Sequence, residues 1–177
     1  MKYFTMIKNI KKVAVLGSGI MGSGIACHLA NVDMEVLLLD MVPRDKESET
    51  DKNKRNSLVD SSLKNSVKSK PSPLFTNSKL KNITTGNFTD DFEKIKGYDW
   101  IIEVVVERLD IKKIIFEKVD QFRKEGSLVS SNTSGIPINS MLESRSEDFK
   151  KHFFGSHFFN PARYLRLLEI IPTKDTK

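Results

Sequence analysis

Three glycines and one aspartate carry the first chemical signal. Gly17, Gly19 and Gly22 stand in G-x-G-x-x-G register within VAVLGSGIMGSGIACHLA, residues 13–30, directly after the apolar run Val13-Ala14-Val15-Leu16. A short apolar run of this kind suits a buried strand. In a strand–turn–helix unit the first glycine allows a tight turn and the second lets backbone approach a pyrophosphate. The third lets helix and strand pack closely. The helix, opening at Ile20 and Met21, directs free N–H groups and its positive dipole end at the phosphate. A second apolar run, Val36-Leu37-Leu38-Leu39, ends in Asp40, 18 positions after Gly22. A ribose-binding carboxylate belongs about 20 residues on. Such a group accepts from both ribose hydroxyls and repels a 2′-phosphate, which favours NAD over NADP. The plain alternatives are a glycine-rich turn and a solvated aspartate.

The remaining candidates are polar residues that follow apolar runs. They are Ser18, Glu107, the segment Ser131-Asn132-Thr133-Ser134, and His157 with Asn160. Histidine is the usual proton acceptor near neutral pH. His157 lies in GSHFFNPARYLRLLEI, and Glu169 follows in the same stretch. Two neighbouring segments joined around Pro161 would bring the carboxylate to the imidazole, fixing its tautomer and stabilising the imidazolium. A structural histidine is the competing reading. The hydroxyls and amide of SSNTSG could bind a substrate oxygen or satisfy turn backbone. Glu107 and Lys112 bracket a helix start and could be a solvated charge pair. His28, on the first helix, and His152, in a lysine-rich connection, carry no such signal. No cysteine pair, H-x-x-x-H or acid cluster suggests a metal.

These residues need a scaffold, and 177 residues suffice for one domain with a real core. Apolar content of 38% and charge of 29% describe a globular protein with a polar surface. No run reaches the 18 or so apolar residues of a membrane span. The lead-in 1–11 is basic and lacks a signal-type apolar core. The single cysteine, Cys27, reads as a packing residue, and a reducing cytoplasm is the natural setting. The net charge of +6 comes from lysines scattered among acids. Without a basic stripe interleaved with aromatics, nucleic acid is not an expected partner.

The pattern predicts a strand–helix–strand unit ending at Asp40, then a polar arm over 41–81 broken by Pro43, Pro71 and Pro73. Leu58, Val59, Leu63 and Val67 suggest a helix over about 53–68 with a thin apolar stripe, protruding or loosely docked, and residues 44–53 read as mobile. A strand is expected at 83–85 and a helix start at Asp90-Asp91. A strand over 100–106 follows, apolar except for Glu103. The next helix is expected to be capped by Asp110, to carry Ile111, Ile114, Ile115, Val119 and Phe122 on one face, and to end at Gly126. Further strands fall at 128–131, 153–159 and 167–171, with a short helix at 138–143. Strands alternating with helices mean a doubly wound, mostly parallel α/β sheet of Rossmann type. Its ligands bind beyond the carboxyl ends of the strands.

Together, VAVLGSGIMGSGIA, VLLLD, DWIIEVVVERLDIKKIIF, SSNTSGIPI and HFFNPARYLRLLEII resemble the N-terminal NAD-binding domain of the 3-hydroxyacyl-CoA dehydrogenase family. The form is most similar to the large bacterial fatty-acid-oxidation proteins. The resemblance implies NAD-dependent oxidation of L-3-hydroxyacyl-CoA to 3-ketoacyl-CoA in β-oxidation, with an acyl-CoA substrate. It puts the catalytic histidine on His157, its acidic partner on Glu169 and the serine at the substrate's 3-oxygen on Ser134. Cofactor contacts fall on Gly17, Gly19, Ile20, Met21, Gly22, Asp40, Glu107, Lys112, Ser134 and Asn160. The arm at 41–81 matches the family's helical excursion linked to acyl-CoA binding, where Lys64, Lys68 and Lys70 could meet phosphates. The family continues beyond this point with a helical domain that dimerises. The 177 residues are therefore expected to form one NAD-binding domain, truncated at its C-terminus, with an apolar sheet edge exposed and the helical dimerisation domain absent. Other readings are an NAD-binding module without turnover and a dehydrogenase acting on free hydroxy acids.

Overall fold

The computed structural model describes residues 9–177; residues 1–8, most of the basic lead-in, lie outside the described residues. Seven strands form one sheet in the order β3-β2-β1-β4-β5-β6-β7. They are β1 (Lys12–Leu16), β2 (Glu35–Asp40), β3 (Ile83–Asn87), β4 (Trp100–Glu103), β5 (Leu128–Ser131), β6 (Phe153–Phe158) and β7 (Leu168–Pro172). The first six pair in parallel, and β7 runs antiparallel to β6. The chain leaves β1 for β2 on one side and returns to place β4 on the other. That reversal opens a crevice beyond the ends of β1 and β4, where open α/β sheets take their ligands.

Strand periodicity divides the core. Ala14, Leu16, Leu37, Leu39, Ile101 and Val129 face one layer, with Ile115, Phe116 and Val119 of α4 (Leu109–Phe122) and Phe149 of α5 (Glu147–His152). Val13, Val15, Val36, Leu38 and Ile102 face the other, with Ile25, Ala26, Leu29 and Ala30 of α1 (Ile20–Asn31). Strands apolar on both faces belong in the middle of such a sandwich. Cys27 is fully buried there, and burial pushes its thiol up to about 12.

Several local expectations are corrected. The helix in the arm is broken into α2 (Lys52–Arg55) and α3 (Ser57–Lys68), with Asn56 buried between them and accepting from the Asn87 amide. The arm does not protrude: Val59, Leu63 and Leu74 join the α1 layer of the core, with Val67 packed against it. Residues 47–49 are tied down by Arg55, whose guanidinium donates to the Glu47 and Glu49 carbonyls. The strand expected over 100–106 stops at Glu103, because the Val105 N–H turns back to the Glu103 carboxylate and Val106 faces solvent. In α4 the N-cap is Arg108, not Asp110, and the helix ends at Phe122, before Gly126. Its buried face is Lys112, Ile115, Phe116 and Val119, while Ile114 is exposed. The short helix near 138–143 is a 3-10 turn, Ile138–Met141, and a 3-10 turn, Phe92–Gly97, follows Asp91. Helix α5 was not foreseen, although Ser146 caps it by accepting from the Phe149 N–H. The edge strand β7 is exposed along its whole length, with Leu168, Ile170 and Ile171 open to solvent. Among the described residues no helix is long and apolar enough to cross a membrane.

Candidate active site

The glycine turn has the geometry its residue types demand. Gly17 adopts φ +109°, and its N–H donates to the Leu39 carbonyl at 2.7 Å. A Cβ there would lie 2.6 Å from the Val104 carbonyl oxygen. A Cβ on Gly22 would come within 1.8 Å of the Gly17 carbonyl oxygen, whereas one on Gly19 would meet nothing within 4 Å. Gly17 and Gly22 are thus required by the protein itself, and Gly19 leaves room beside the crevice. No side chain caps α1 and no acid sits in its first turn. Its leading N–H groups, which no helix can satisfy internally, remain available to an anion. Asp40, at the end of β2, accepts from the Ser18 N–H and hydroxyl, both at 2.6 Å, and from the Met41 N–H at 2.7 Å. An ionised carboxylate has roughly four acceptor positions, so these three bonds orient Asp40 without exhausting it. A turn with an open Gly19, uncapped helix N–H groups and an oriented acid fits a dinucleotide.

Across the crevice, strand pairing does what sequence spacing left open. His157 and Glu169 are register partners on β6 and β7, with Nδ1 and Oε2 2.7 Å apart. The carboxylate engages Nδ1 and leaves Nε2 as the nitrogen free for proton exchange. The imidazole is one-fifth exposed and the Glu169 side chain about half. His157 lines a cavity of about 320 Å³ together with Met21, Glu107, Lys112, Asn132, Ser134 and Asn160. Asn132 locks β5 to β6 by accepting the Phe158 N–H at 2.8 Å. The Phe159 ring sits 4.4 Å from the imidazole, centroid to centroid.

A buried charge network supports the cavity floor. Lys112 is 1% exposed and lies 2.7 Å from the Glu103 carboxylate, which is fully buried, and 3.3 Å from Glu107. The solvated pair expected as an alternative for Glu107 and Lys112 is therefore not what forms. Glu103 also accepts from the Ser131 hydroxyl at 2.5 Å and the Val105 N–H at 2.7 Å. Burial raises its carboxyl, and the Lys112 ammonium, the Ser131 hydroxyl and the Val105 N–H pull it back. Glu107 takes the Thr133 hydroxyl, the Gly135 N–H at 3.1 Å and the Ser134 N–H at 3.3 Å. Burial would raise the Glu107 carboxyl, but those donors and Lys112 hold it below the usual carboxylate range. One acid thus clamps the turn that carries Ser134. Glu103 was visible in the sequence only as the acid in an apolar strand; that mismatch, with a lysine nine positions on, was its signal.

Met21, Glu107, Lys112, Ser134, His157 and Asn160 therefore converge on one cavity, with Glu169 bonded to His157, whereas Asp40, His28 and His152 stand apart. Asp40 lies at the far end of the glycine turn and does not line the His157 cavity. His28 packs edge-on to Phe158, held below its ordinary value by burial and by the charge of Arg163. His152, placed by α5, bonds the Asp148 carbonyl through Nδ1.

Residues 12–177 match the family described as 3-hydroxyacyl-CoA dehydrogenase, NAD binding domain. The chain belongs to that family. Its cofactor is NAD. The chain is 57% identical over 179 residues to a probable 3-hydroxyacyl-CoA dehydrogenase of Bacillus subtilis, covering 97% of this chain and 23% of that protein. A probable 3-hydroxyacyl-CoA dehydrogenase of Deinococcus radiodurans is 46% identical over 167 residues, covering 94% of this chain and 46% of that protein. The chain thus spans less than half the length of these relatives. The crystal structure of 3-hydroxybutyryl-CoA dehydrogenase from Escherichia coli superposes with a TM-score of 0.72 at 28% identity, covering 96% of this chain and 34% of that one. The (S)-3-hydroxybutyryl-CoA dehydrogenase of Ralstonia eutropha does so with a TM-score of 0.71 at 30% identity, covering 95% and 56%.

Proposed function

We propose that this chain forms the NAD-binding and proton-transfer side of an enzyme that oxidises L-3-hydroxyacyl-CoA to 3-ketoacyl-CoA in fatty-acid β-oxidation. The observation that carries the reading is the 2.7 Å His157–Glu169 contact in a cavity shared with Ser134 and with Met21 of the glycine turn. Oxidation at C3 removes the hydroxyl proton and a hydride. His157 takes the proton at Nε2, and Glu169 stabilises the resulting imidazolium through Nδ1. Ser134, on a turn fixed by Glu107, donates to the 3-oxygen, and in the reverse direction it polarises the ketone together with His157. NAD, when bound, supplies the hydride acceptor. Gly17, Gly19, Ile20, Met21 and Gly22 would offer backbone to its pyrophosphate, and Asp40 would accept from its adenosine ribose. Glu107, Lys112 and Asn160 border the nicotinamide side. The family's names for relatives, 3-hydroxyacyl-CoA dehydrogenase among them, support the same substrate class.

The test follows NADH oxidation driven by acetoacetyl-CoA, alongside NADH binding by fluorescence. Turnover that His157→Ala lowers by about 10²- to 10⁴-fold, with NADH affinity kept, supports the assignment. NADH binding without turnover would instead identify a binding module. Turnover of 3-hydroxybutyrate but not of its CoA thioester would replace the substrate class.

A further inference from the structure

The turn after His157 is fastened to the arm by one side chain. Arg163 donates through Nη1 to the carbonyl oxygens of Ser72, at 2.6 Å, and Leu74, at 2.9 Å. Its guanidinium carbon lies 4.5 Å from the centre of the Phe75 ring and 4.9 Å from that of Tyr164. Phe75 belongs to the arm and Tyr164 to the turn, so the cation lies close to one aromatic ring from each of the two segments it joins. The Tyr164 hydroxyl adds a bond to the Ser72 carbonyl at 3.1 Å. From the other side Asn31, the last residue of α1, donates to the Pro73 carbonyl and accepts the Phe75 N–H, both at 2.8 Å. Among the described residues no carboxylate pairs with Arg163. Its positive charge is met by carbonyl dipoles and two π faces, which is the chemistry of a clasp rather than an ion pair.

What the clasp borders is a small cavity. A cavity of about 80 Å³ lies between α1, the end of the arm and this turn, bordered by Met21, Ser69, Asn160, Arg163 and Tyr164. Met21 and Asn160 also line the His157 cavity, so the two spaces adjoin. Ala162 and Leu74 share one buried cluster with Phe158, next to His157. Moving residues 72–75 therefore changes the width of this cavity, which Ile20 and Met21 border from the side of the glycine turn.

We propose that Arg163 is a positioning residue for the acyl-CoA substrate: it holds residues 72–75 against the turn after β6 and so fixes the wall beside the His157 cavity against which the substrate settles. The proposal rests on the acyl-CoA reading above. Lysine is no equivalent of this arginine: its ammonium has donors enough for two carbonyls but lacks the planar guanidinium face that lies against aromatic rings.

The test compares the full chain with Arg163→Lys and Arg163→Met, and with Tyr164→Phe as the milder variant. Amide exchange of peptides spanning 57–80 should accelerate in both Arg163 variants, while peptides of β1 and α1 stay protected. The KM for acetoacetyl-CoA should rise about tenfold, as loss of one or two charge-assisted hydrogen bonds implies. The fall in kcat should be smaller, and NADH affinity should hold. Tyr164→Phe should shift KM in the same direction by less. Unchanged exchange in the arm would overturn the clasp. Faster exchange with an unchanged KM would overturn the positioning role, as would KM, kcat and NADH affinity all worsening together. If the parent chain does not turn over acetoacetyl-CoA, it is the functional reading that fails, and the exchange result still decides whether Arg163 fastens the arm.

Discussion

His157 and Glu169 face each other as direct register partners across the antiparallel pair β6–β7 and meet at 2.7 Å. Placing the carboxylate by strand register makes the contact stiff, since a shift of one residue would turn Glu169 to the opposite face of the sheet. The same arrangement leaves Glu169 half-exposed, so water is available if the carboxylate is removed.

Glu169→Gln should therefore lower kcat by less than His157→Ala does. A buried triad aspartate is worth about 10⁴-fold, and the open side of Glu169 reduces that to about 10²-fold. NADH affinity should be untouched, because Glu169 does not line the glycine turn. A Gln variant with full kcat would remove Glu169 from the mechanism.

The glycines separate fold from function. Gly19→Ala adds a Cβ with nothing within 4 Å, so the melting temperature should hold. That methyl would nevertheless stand where the pyrophosphate must approach backbone, and NADH affinity should fall by about tenfold or more. Gly22→Ala would place its Cβ 1.8 Å from the Gly17 carbonyl oxygen and should unfold the turn, lowering stability and binding together. Thermal melts beside NADH titrations distinguish the two. An unaltered NADH affinity in Gly19→Ala would mean the cofactor does not lie against this turn.

How far the sequence disclosed this site depends on the range of the interaction. The glycine turn, Asp40 and the SNTS segment are local in chain and were legible as strand ends. The pairing of His157 with Glu169 was suspected from their shared stretch, but only the β6–β7 register decides it. Glu103 and Arg163 were not legible as functional groups. Each acts through partners remote in sequence: Ser131 lies 28 positions from Glu103, and Ser72 lies 91 from Arg163. Docking of the arm likewise depends on contacts remote in sequence. Its apolar stripe looked too thin to dock, and the deciding fact is that Val59 and Leu63 meet α1. In α4 the expected face holds in large part, with Ile115 and Val119 buried and Phe122 packed against the core, and the exception is Ile114. Lys112 belongs on the buried face because Glu103 waits there, and Ile114 is consequently exposed.

The Glu103–Lys112 pair should behave as a unit. Glu103→Gln leaves the buried ammonium with only the more distant, half-exposed Glu107 as counter-charge, and breaking a buried pair from one side costs about 3–5 kcal/mol. Lys112→Met strands the carboxylate and should cost a similar amount. The double variant, with no charge left to bury, should recover much of that loss in urea unfolding. Strictly additive losses would show that the two charges do not depend on each other.

The turn that carries Ser134 should have a defined acid limit. Glu107 is held below the usual carboxylate range in the folded protein, by donors that outweigh its burial. A carboxylate with a depressed folded value contributes stability that is present above its unfolded value and lost as pH falls through the lower, folded one. The clamp on the Thr133 hydroxyl and the Ser134 and Gly135 N–H groups should therefore stay intact on acidification past about 4.3, the ordinary glutamate value. It should release only below that. The amide proton shifts of Ser134 and Gly135, followed from neutral pH downward, report the event directly. Glu107→Gln should abolish the titration, because its side chain has no charge to lose. Gly135 titrating at or above the ordinary glutamate value would mean that Glu107 is not held by these donors in solution, and Ser134 would then need another support.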